Sequence, residues 1–305
     1  MTATALRVPV AAPTTRRRLG LLTLVTALAP VTWGTTYVVT TEWLPPERPL
    51  LAATVRALPA GLLLVAVGRR LPRGAWWWKA AVLGVLNMGA FFALLFVAAY
   101  RLPGGVAAVL GAAQPLVVAV LAVPLLGERL RRRTLLLGLL GVAGVALIVV
   151  TGPVALDPVG VLAGLAGTAC MGSGVVLTKR WGRPVPVLAF TGWQLAAGGL
   201  FLLPLALVAE GLPPALTAGQ VGGLLYLATV NTALAYVLWL RGVGALPTAR
   251  VSFLGLLSPV VAATAGWVLL GEVLTPLQLA GTALALATVV LAQRSPTVTP
   301  TPRRG

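Results

Sequence analysis

The chain has 305 residues, of which 58% are hydrophobic and only 10% are charged. Soluble domains carry about 25% charged residues, so this composition excludes an ordinary water-soluble globular protein. The net charge is +17, and in so apolar a chain the excess of Lys and Arg predicts membrane topology rather than nucleic-acid binding. There is no histidine and a single cysteine, Cys170, which excludes an internal disulfide and a cysteine-based metal cluster.

Apolar stretches long enough to cross about 30 Å of hydrocarbon as a helix recur along the chain. The first follows a basic tail, residues 1–18, that resembles the n-region of a signal peptide, and Ala27-Leu28-Ala29 resembles a cleavage site. Because the apolar run continues through Val39, we interpret it as a retained first helix. Ten transmembrane helices are predicted, at residues 19–40, 49–68, 76–99, 104–126, 134–151, 158–178, 186–208, 219–240, 249–270 and 276–293.

The connectors between these helices are short and leave no room for a soluble domain. With the N-terminus in the cytoplasm, Arg48 and Arg101 are the only basic connector residues that fall outside. This asymmetry follows the positive-inside rule and places both termini in the cytoplasm. The C-terminal tail, residues 294–305, is polar and rich in proline, a composition that predicts disorder.

Two segments occur twice. The sequence "QPLVVAVLAVPLLGE" (114–128) returns as "SPVVAATAGWVLLGE" (258–272), 144 residues later, and "WGTTYVVTTEWLPP" (33–46) aligns with "MGSGVVLTKRWGRP" (171–184), 138 residues later. Five helices cross the membrane an odd number of times, so a second copy enters in the opposite direction. The predicted fold is therefore an all-α integral membrane protein of ten transmembrane helices, formed by two inverted five-helix repeats at residues 19–151 and 158–293.

The inversion also explains a difference between the copies. The first "PLLGE" is followed by a run of arginines, Arg129 and Arg131–Arg133, which the second copy lacks. A basic cluster holds the first connector in the cytoplasm and would oppose insertion of the second, which faces outward. Inverted repeats are typical of secondary transporters, whose substrate site lies near the middle of the membrane.

These motifs resemble the EamA-type family of the drug/metabolite transporter superfamily. The resemblance covers about residues 19–293 and rests on the ten-helix duplication, "TWGTTYVV" (32–39), the arginine at position 56 and the repeated "PLLGE" segments. It implies a multi-pass carrier in the cytoplasmic (inner) membrane that moves small metabolites and often exports amino acids or related compounds.

Arg56 lies seven residues after Pro49, roughly 10 Å below the outer boundary by helical rise. An arginine at the centre of a transmembrane helix costs about 2.5–3.5 kcal/mol, so it is expected to face protein or water. Its guanidinium can bind a substrate carboxylate or phosphate. Alternatively it is structural, reaching outward to the surface or pairing with Glu42 or Glu47.

Uncharged polar and aromatic side chains complete the candidate site. The amides and hydroxyl can contact substrate, or they can join helices at about 0.6 kcal/mol each. The prolines either break helices beside a cavity or act as plain kinks. The candidate substrate-binding residues are Arg56, Asn87, Gln114, Gln194, Asn231, Ser258, Trp33, Tyr37, Phe92, Trp193, Tyr236 and Trp239, and the candidate helix breaks are Pro30, Pro115 and Pro259.

The acidic residues restrict the chemistry. Glu128 and Glu272 each follow a glycine at a helix end, where we expect the glycine to cap one helix and the carboxylate to begin the next. No other acid and no histidine lies in a predicted span, which argues against exchange of a cationic drug for a proton. It also argues against an enzyme, because a nucleophile, metal ligands or an acid–base pair within the bilayer would be needed.

The predicted function is secondary transport of small metabolites by alternating access, in particular export of amino-acid-like or other neutral, zwitterionic or anionic solutes. A multidrug efflux carrier and a channel-like membrane protein are the alternatives. The expected partners are the lipid bilayer and a small-molecule substrate, without nucleic acid, metal or cofactor. Assembly as a homodimer stays open.

Overall fold

The computed structural model describes residues 16–101, 110–149, 157–212, 215–270 and 275–294. All secondary structure in these ranges is helical. The first half contains α1 (Arg16–Gly34), α2 (Thr36–Trp43), α3 (Pro49–Gly68), α4 (Trp76–Gly84), the π-helical segment π1 (Val85–Gly89), α5 (Ala90–Arg101), α6 (Gln114–Leu126) and α7 (Arg132–Val149). The second half contains α8 (Pro158–Trp181), α9 (Val187–Glu210), α10 (Ala218–Ala228), the π-helical segment π2 (Thr229–Leu234), α11 (Ala235–Ala245), α12 (Thr248–Leu254), α13 (Leu257–Leu270) and α14 (Pro276–Gln293).

Within the described ranges, eight helical segments are long and apolar enough to cross a membrane, and a shorter apolar helix spans Leu110–Leu126. The eight are Arg18–Thr40, Pro49–Gly68, Trp76–Ala98, Pro158–Trp181, Val187–Glu210, Ala218–Ala245, Thr248–Ala265 and Pro276–Gln293. Apolar helices of this number and length are typical of an integral membrane protein. Most of the predicted tails, residues 1–15 and 295–305, and the second glycine–glutamate pair, Gly271-Glu272, lie outside the described residues.

Three helices that the sequence analysis predicts as continuous are interrupted, and the one predicted at 104–126 breaks at Ala113, just before α6. The first span breaks at Thr35, whose hydroxyl donates to the carbonyl of Thr32 at 2.7 Å and so competes with the helical backbone pattern. The span predicted at 249–270 breaks at residues 255–256. Pro259 has no N–H to donate to the carbonyl of Gly255, which accepts instead from the backbone N–H of Ser258 at 3.1 Å.

Two other spans carry a π-helical segment in the middle. π1 interrupts the span predicted at 76–99, and π2 interrupts the span predicted at 219–240. The first residues of the two segments, Val85 and Thr229, are themselves 144 residues apart, the same offset that relates the repeated sequence segments. A π-helical turn inserts an extra residue into the helix and is frequent at functional sites. Here the inserted turns contain Asn87 and Asn231.

Glycines permit the closest helix contacts. α3 packs against α9, α7 against α14, α5 against α8, and α1 against α11. A Cβ at Gly61 of α3 would collide with the α9 backbone at Leu195 and Ala196, and a Cβ at Gly144 of α7 would lie 2.8 Å from the backbone nitrogen of Ala285 on α14. Small residues allow such backbone contact in membrane proteins, where van der Waals packing rather than the hydrophobic effect holds helices together.

Polar contacts at one end of the bundle join α6, α8 and α12. Gly127 ends α6 in the left-handed conformation with φ 70°, as expected for a capping glycine. The expectation that Glu128 begins the next helix is wrong, because α7 starts only at Arg132. The Glu128 carboxylate instead accepts a 2.6 Å hydrogen bond from Thr248 at the start of α12, and Arg180 of α8 donates to the carbonyl of Leu125 at 2.9 Å.

Asp157 and Glu210 each accept hydrogen bonds from backbone N–H groups in the first turn of a helix. Asp157 caps α8 by accepting from the backbone N–H of Val159 at 2.7 Å, and it pairs with Arg101 at 3.1 Å. The hydrogen bond from Arg101 lowers the pKa of this carboxyl below its usual value. Glu210 accepts from the backbone N–H groups of Leu50 and Leu51, in the first turn of α3, where a carboxylate also complements the helix dipole.

The contact between α3 and α9 predicts a strong effect of Gly61→Leu. The added side chain has no space without moving the α9 backbone, so we expect loss of monodisperse protein or a decrease in the free energy of unfolding of about 3 kcal/mol or more. Thermal unfolding and size-exclusion chromatography in detergent measure this effect. Gly222→Leu is the matched control, because nothing lies within 4 Å of a Cβ there. Equal stability of the two variants would contradict the packing described.

Candidate functional site

Arg56 is the one charged residue among the fully buried side chains of the described ranges, with 3% exposure. Its Nε donates to the Thr232 hydroxyl at 3.0 Å, and its Nη2 donates to Oδ1 of Asn231 at 2.8 Å. The guanidinium carbon lies 4.3 Å from the ring centroid of Phe92, within the range of a cation–π contact. Arg56 forms no ion pair with Glu42, Glu47 or any other described carboxylate, and it does not reach the surface.

Asn231 forms hydrogen bonds both to Arg56 and to the first span. Its Nδ2 donates to the Thr32 carbonyl at 2.6 Å, and its backbone carbonyl accepts from the indole N–H of Trp33 at 3.1 Å. Its Oδ1 also accepts from the Thr36 hydroxyl at 3.2 Å. Asn231 is fully buried, and the break at residue 35 and the π2 turn bring these groups together. α1, α2, α3 and π2 therefore meet at one polar point.

A second polar contact joins π1 to α9. Asn87 donates from Nδ2 to Oε1 of Gln194 at 2.8 Å, and both residues are buried. The Nε2 of Gln194 has no hydrogen-bond partner among the described residues. Gly174 of α8 lies directly against Oδ1 of Asn87, so that any Cβ at position 174 would collide with it. The Asn87 carbonyl accepts from the Tyr236 hydroxyl at 3.4 Å.

Aromatic rings connect the two polar contacts. Phe92, which lies under the Arg56 guanidinium, meets Tyr236 edge to face with ring centroids 6.1 Å apart. Trp33 lies 5.0 Å from Tyr236 and 5.2 Å from Trp239, centroid to centroid. Eight of the predicted site residues therefore form one continuous network, buried except for the partly buried Trp33: Arg56, Asn87, Gln194, Asn231, Trp33, Phe92, Tyr236 and Trp239.

Among the described side chains, no hydrogen bond or ring contact joins the remaining predicted residues to this network. Trp193 donates from its indole N–H to the Arg70 carbonyl at 2.7 Å and packs against Trp76 and Phe190. Gln114 begins α6, and its buried Nε2 lacks a partner among the described residues. The other positions are Ser258, in the first turn of α13 beside Pro259, Pro115, in the first turn of α6, Pro30, inside α1, and Tyr37, on α2, whose side chain is outside the described part.

Sequence reasoning missed Thr232, Thr36 and Gly174. Threonine hydroxyls in apolar helices often bond only to their own backbone, so neither threonine stands out in the sequence. A signal for two of them existed in the repeat, because Thr36 and Gly174 are aligned in the 33–46 and 171–184 segments and Asn87 and Asn231 are aligned as well. The residues that contact an aligned pair of amides are themselves aligned.

The arrangement can bind an anion. A buried guanidinium whose partners are all neutral retains a full positive charge in an apolar environment, where an uncompensated charge is costly. Its planar donor groups match a carboxylate in a two-point contact. In the described part of the chain, no group of three or more His, Cys, Asp or Glu residues could hold a metal ion.

Comparison with known proteins identifies the class. The model of the EamA-like transporter family matches the chain twice, over residues 19–150 and 158–293. Protein PecM of Dickeya dadantii (strain 3937) is 44% identical over 267 residues, which cover 87% of this chain and 90% of that protein. This chain is therefore a membrane transporter rather than an enzyme. It belongs to the EamA-like transporter family.

Other relatives agree with this assignment. A protein described as a probable terminal-alkyne amino-acid exporter in Streptantibioticus cattleyicolor is 33% identical over 81% of this chain and 82% of that protein. The uncharacterized inner membrane transporter YedA of Escherichia coli (strain K12) is 30% identical over 86% of each chain. One crystal structure superposes with a TM-score of 0.75 at 20% identity, over 89% of this chain and 97% of that one, and shows the same fold.

The two amide contacts predict different stabilities for two matched variants. Asn231→Leu removes hydrogen bonds to a buried charge and leaves Arg56 underpaired, whereas Asn87→Leu removes one neutral contact. Hydrogen bonds to charged groups contribute about 1.5–3 kcal/mol and neutral ones about 1 kcal/mol. We expect Asn231→Leu to unfold at the lower temperature in the same detergent. An equal or smaller loss for Asn231→Leu would show that Arg56 does not depend on this amide.

Proposed function

We propose that this protein is a secondary transporter that exports amino-acid-like solutes across the cytoplasmic membrane by alternating access. The observation that carries the proposal is the buried Arg56, whose described partners are all neutral. A substrate carboxylate can replace the Asn231 amide at the guanidinium and supply the missing negative charge. The affinity of the site then comes from a charge pair that forms only when substrate is bound.

Charge also restricts which solutes fit. A cation at this site meets Arg56 and no described carboxylate, so its transfer into the apolar interior is unfavourable. The rings of Trp33, Phe92, Tyr236 and Trp239 provide an apolar surface beside the guanidinium. A carboxylate joined to an apolar portion therefore matches the site, which is the chemistry of many amino acids. The relative described as a probable terminal-alkyne amino-acid exporter supports both this substrate class and the outward direction.

Alternating access follows from an inverted arrangement of the two repeats, with ten crossings in all. Three features support the inversion. α3 packs against α9 and α7 against α14, and in each pair the two helices occupy equivalent places in their repeats. π1 and π2 are aligned in sequence. Lastly, Arg56 aligns with Gln194, and each of them contacts the asparagine of the opposite repeat. Such symmetry allows the halves to exchange conformations about a central site.

The contacts of Glu128 and Arg180 fit an inward gate. The Glu128–Thr248 hydrogen bond and the Arg180–Leu125 hydrogen bond connect α12 and α8 to the end of α6. Both are on the side that the positive-inside rule assigns to the cytoplasm. We infer that these contacts separate when the site opens inward and re-form before it opens outward. The central network, in which every member but the partly buried Trp33 is buried, then belongs to a closed stage of the cycle.

The inverted topology predicts the side from which single cysteines react. In a Cys170→Ser background, a cysteine at Arg131 or Arg180 is expected to react with an impermeant maleimide only in inside-out vesicles, and one at Gly211 only in right-side-out vesicles. The reason is that, when the repeats are inverted, the connectors at Arg131 and Arg180 lie at the cytoplasmic face and the connector at Gly211 lies at the outer face. Permeabilised membranes control for accessibility. Labelling of all three positions from the same face would exclude the inversion.

Substrate exchange in liposomes tests the proposed function. Liposomes that contain the purified protein and are loaded with unlabelled amino acids are expected to accumulate the labelled amino acid against its gradient by counterflow. They are expected to show no comparable flux of tetraphenylphosphonium. Arg56→Gln and Asn87→Leu/Asn231→Leu are expected to reduce counterflow at least tenfold, provided that both remain folded. Linear, non-saturating flux would indicate a channel. Saturable transport of the lipophilic cation that survives Glu128→Gln and Glu272→Gln would favour multidrug efflux and contradict the charge argument.

A further inference from the structure

The two polar contacts of the network are related residue by residue. At the offsets of the repeats, Arg56 corresponds to Gln194, Asn231 to Asn87, and Phe92 to Tyr236. In space, Arg56 contacts Asn231 at 2.8 Å and Gln194 contacts Asn87 at 2.8 Å. Phe92 and Tyr236 meet edge to face between them. An internal two-fold axis that passes between these rings would exchange one contact for the other.

We propose that the Asn87–Gln194 pair is a second, uncharged substrate subsite, which binds a hydrogen-bonding group at the end of the substrate opposite its carboxylate. This inference rests on the proposed function, in which Arg56 binds that carboxylate. Together the two subsites select an elongated solute with a carboxylate at one end, an apolar body of ring size in the middle and a polar group at the other end. An aromatic amino acid with a hydroxyl on its ring has this chemistry.

The second pair departs from the symmetry at one neighbouring residue and has one hydrogen-bond donor without a described partner. On the Arg56 side, the Thr36 hydroxyl donates to Oδ1 of Asn231 at 3.2 Å. The aligned residue on the other side is Gly174, which lies against Oδ1 of Asn87 and offers no hydroxyl. The Nε2 of Gln194 is buried and has no partner among the described residues. A buried donor without a partner is unfavourable because it has lost its hydrogen bonds to water, and a substrate acceptor would remove this cost.

The aromatic side chains between the two subsites suit contact with an apolar ring of the substrate. Phe92 and Tyr236 separate the guanidinium from the Asn87–Gln194 pair, and Trp33 lies 5.0 Å from Tyr236. Rings prefer offset or edge-to-face contact with other rings at such distances. A substrate ring that inserts where these side chains now contact one another replaces ring–ring contacts within the protein by ring–ring contacts with the substrate. Its carboxylate then points to Arg56 and its far end to Gln194.

Tyrosine, phenylalanine and tyramine separate the two subsites experimentally. Phenylalanine lacks the ring hydroxyl of tyrosine, and tyramine lacks its carboxylate. Isothermal titration calorimetry on the full-length protein in nanodiscs is expected to show tyrosine binding about tenfold more tightly than phenylalanine, the value of one buried hydrogen bond. Tyramine is expected to bind at least tenfold more weakly than tyrosine.

Variants at each subsite then remove one preference at a time. Gln194→Met is expected to reduce the ratio of tyrosine affinity to phenylalanine affinity to about one and to leave phenylalanine affinity within about twofold, since phenylalanine has no hydroxyl to bond at this position. Gln194→Leu, which has no group that can donate to or accept from a tyrosine hydroxyl, gives a second test if the methionine variant unfolds. Thr191→Val is the control, because this buried hydroxyl lies on the same helix and bonds only to the Val187 carbonyl.

The outcomes distinguish the two proposals. If Arg56→Gln leaves the affinities for tyrosine and phenylalanine unchanged, the carboxylate site of the proposed function is wrong. Suppose that Arg56→Gln weakens the binding of both amino acids. If wild-type protein then binds tyrosine and phenylalanine equally, or if both Gln194 variants still prefer tyrosine, the second subsite is wrong and the carboxylate site stands. If tyrosine does not bind wild-type protein at millimolar concentration, the substrate class is wrong.

Discussion

The cost of a positive charge inside an apolar bundle is the constraint on which the centre of this transporter depends. Arg56 is buried, and the surrounding lipid and aliphatic side chains cannot compensate its charge. The protein supplies an amide, a hydroxyl and the face of a ring instead of a carboxylate. These partners satisfy the guanidinium hydrogen bonds without neutralising its charge. In the proposed function this charge binds a substrate carboxylate, and a permanent ion pair at the same place would prevent that binding.

Backbone irregularity brings these partners together. A straight helix directs its amide and hydroxyl side chains along a face determined by the regular 3.6-residue period. π1 and π2 shift that period at Asn87 and Asn231, and the break at residue 35 frees the Thr32 carbonyl to accept from Asn231. Irregular backbone in a membrane is tolerated where protein groups satisfy it. The same irregularities that would destabilise an isolated span therefore build the polar centre, and they provide places where the spans can bend.

Close packing around glycine and polar contacts at the helix ends have different consequences for motion. The contacts of α3 with α9 and of α7 with α14 bring backbones together and leave little freedom for independent movement. The Glu128–Thr248 contact, by contrast, is a single hydrogen bond from a buried threonine to an exposed carboxylate, which water can solvate when the bond breaks. Conformational change is therefore expected to separate such hydrogen bonds, while each close-packed pair, with one helix from each repeat, moves as a unit.

The sequence alone determined the class of protein, the approximate spans and most members of the polar centre. Hydrocarbon thickness and the cost of buried charge act on composition, so an apolar run and an intramembrane Arg56 can be interpreted without coordinates. Only the tertiary structure decided which residues meet. It directed Arg56 to Asn231 rather than to Glu42, added Thr232, and left Trp193 outside the network. Such choices depend on helix rotation and on one-residue insertions, and in a uniformly apolar chain every helix face has nearly the same composition.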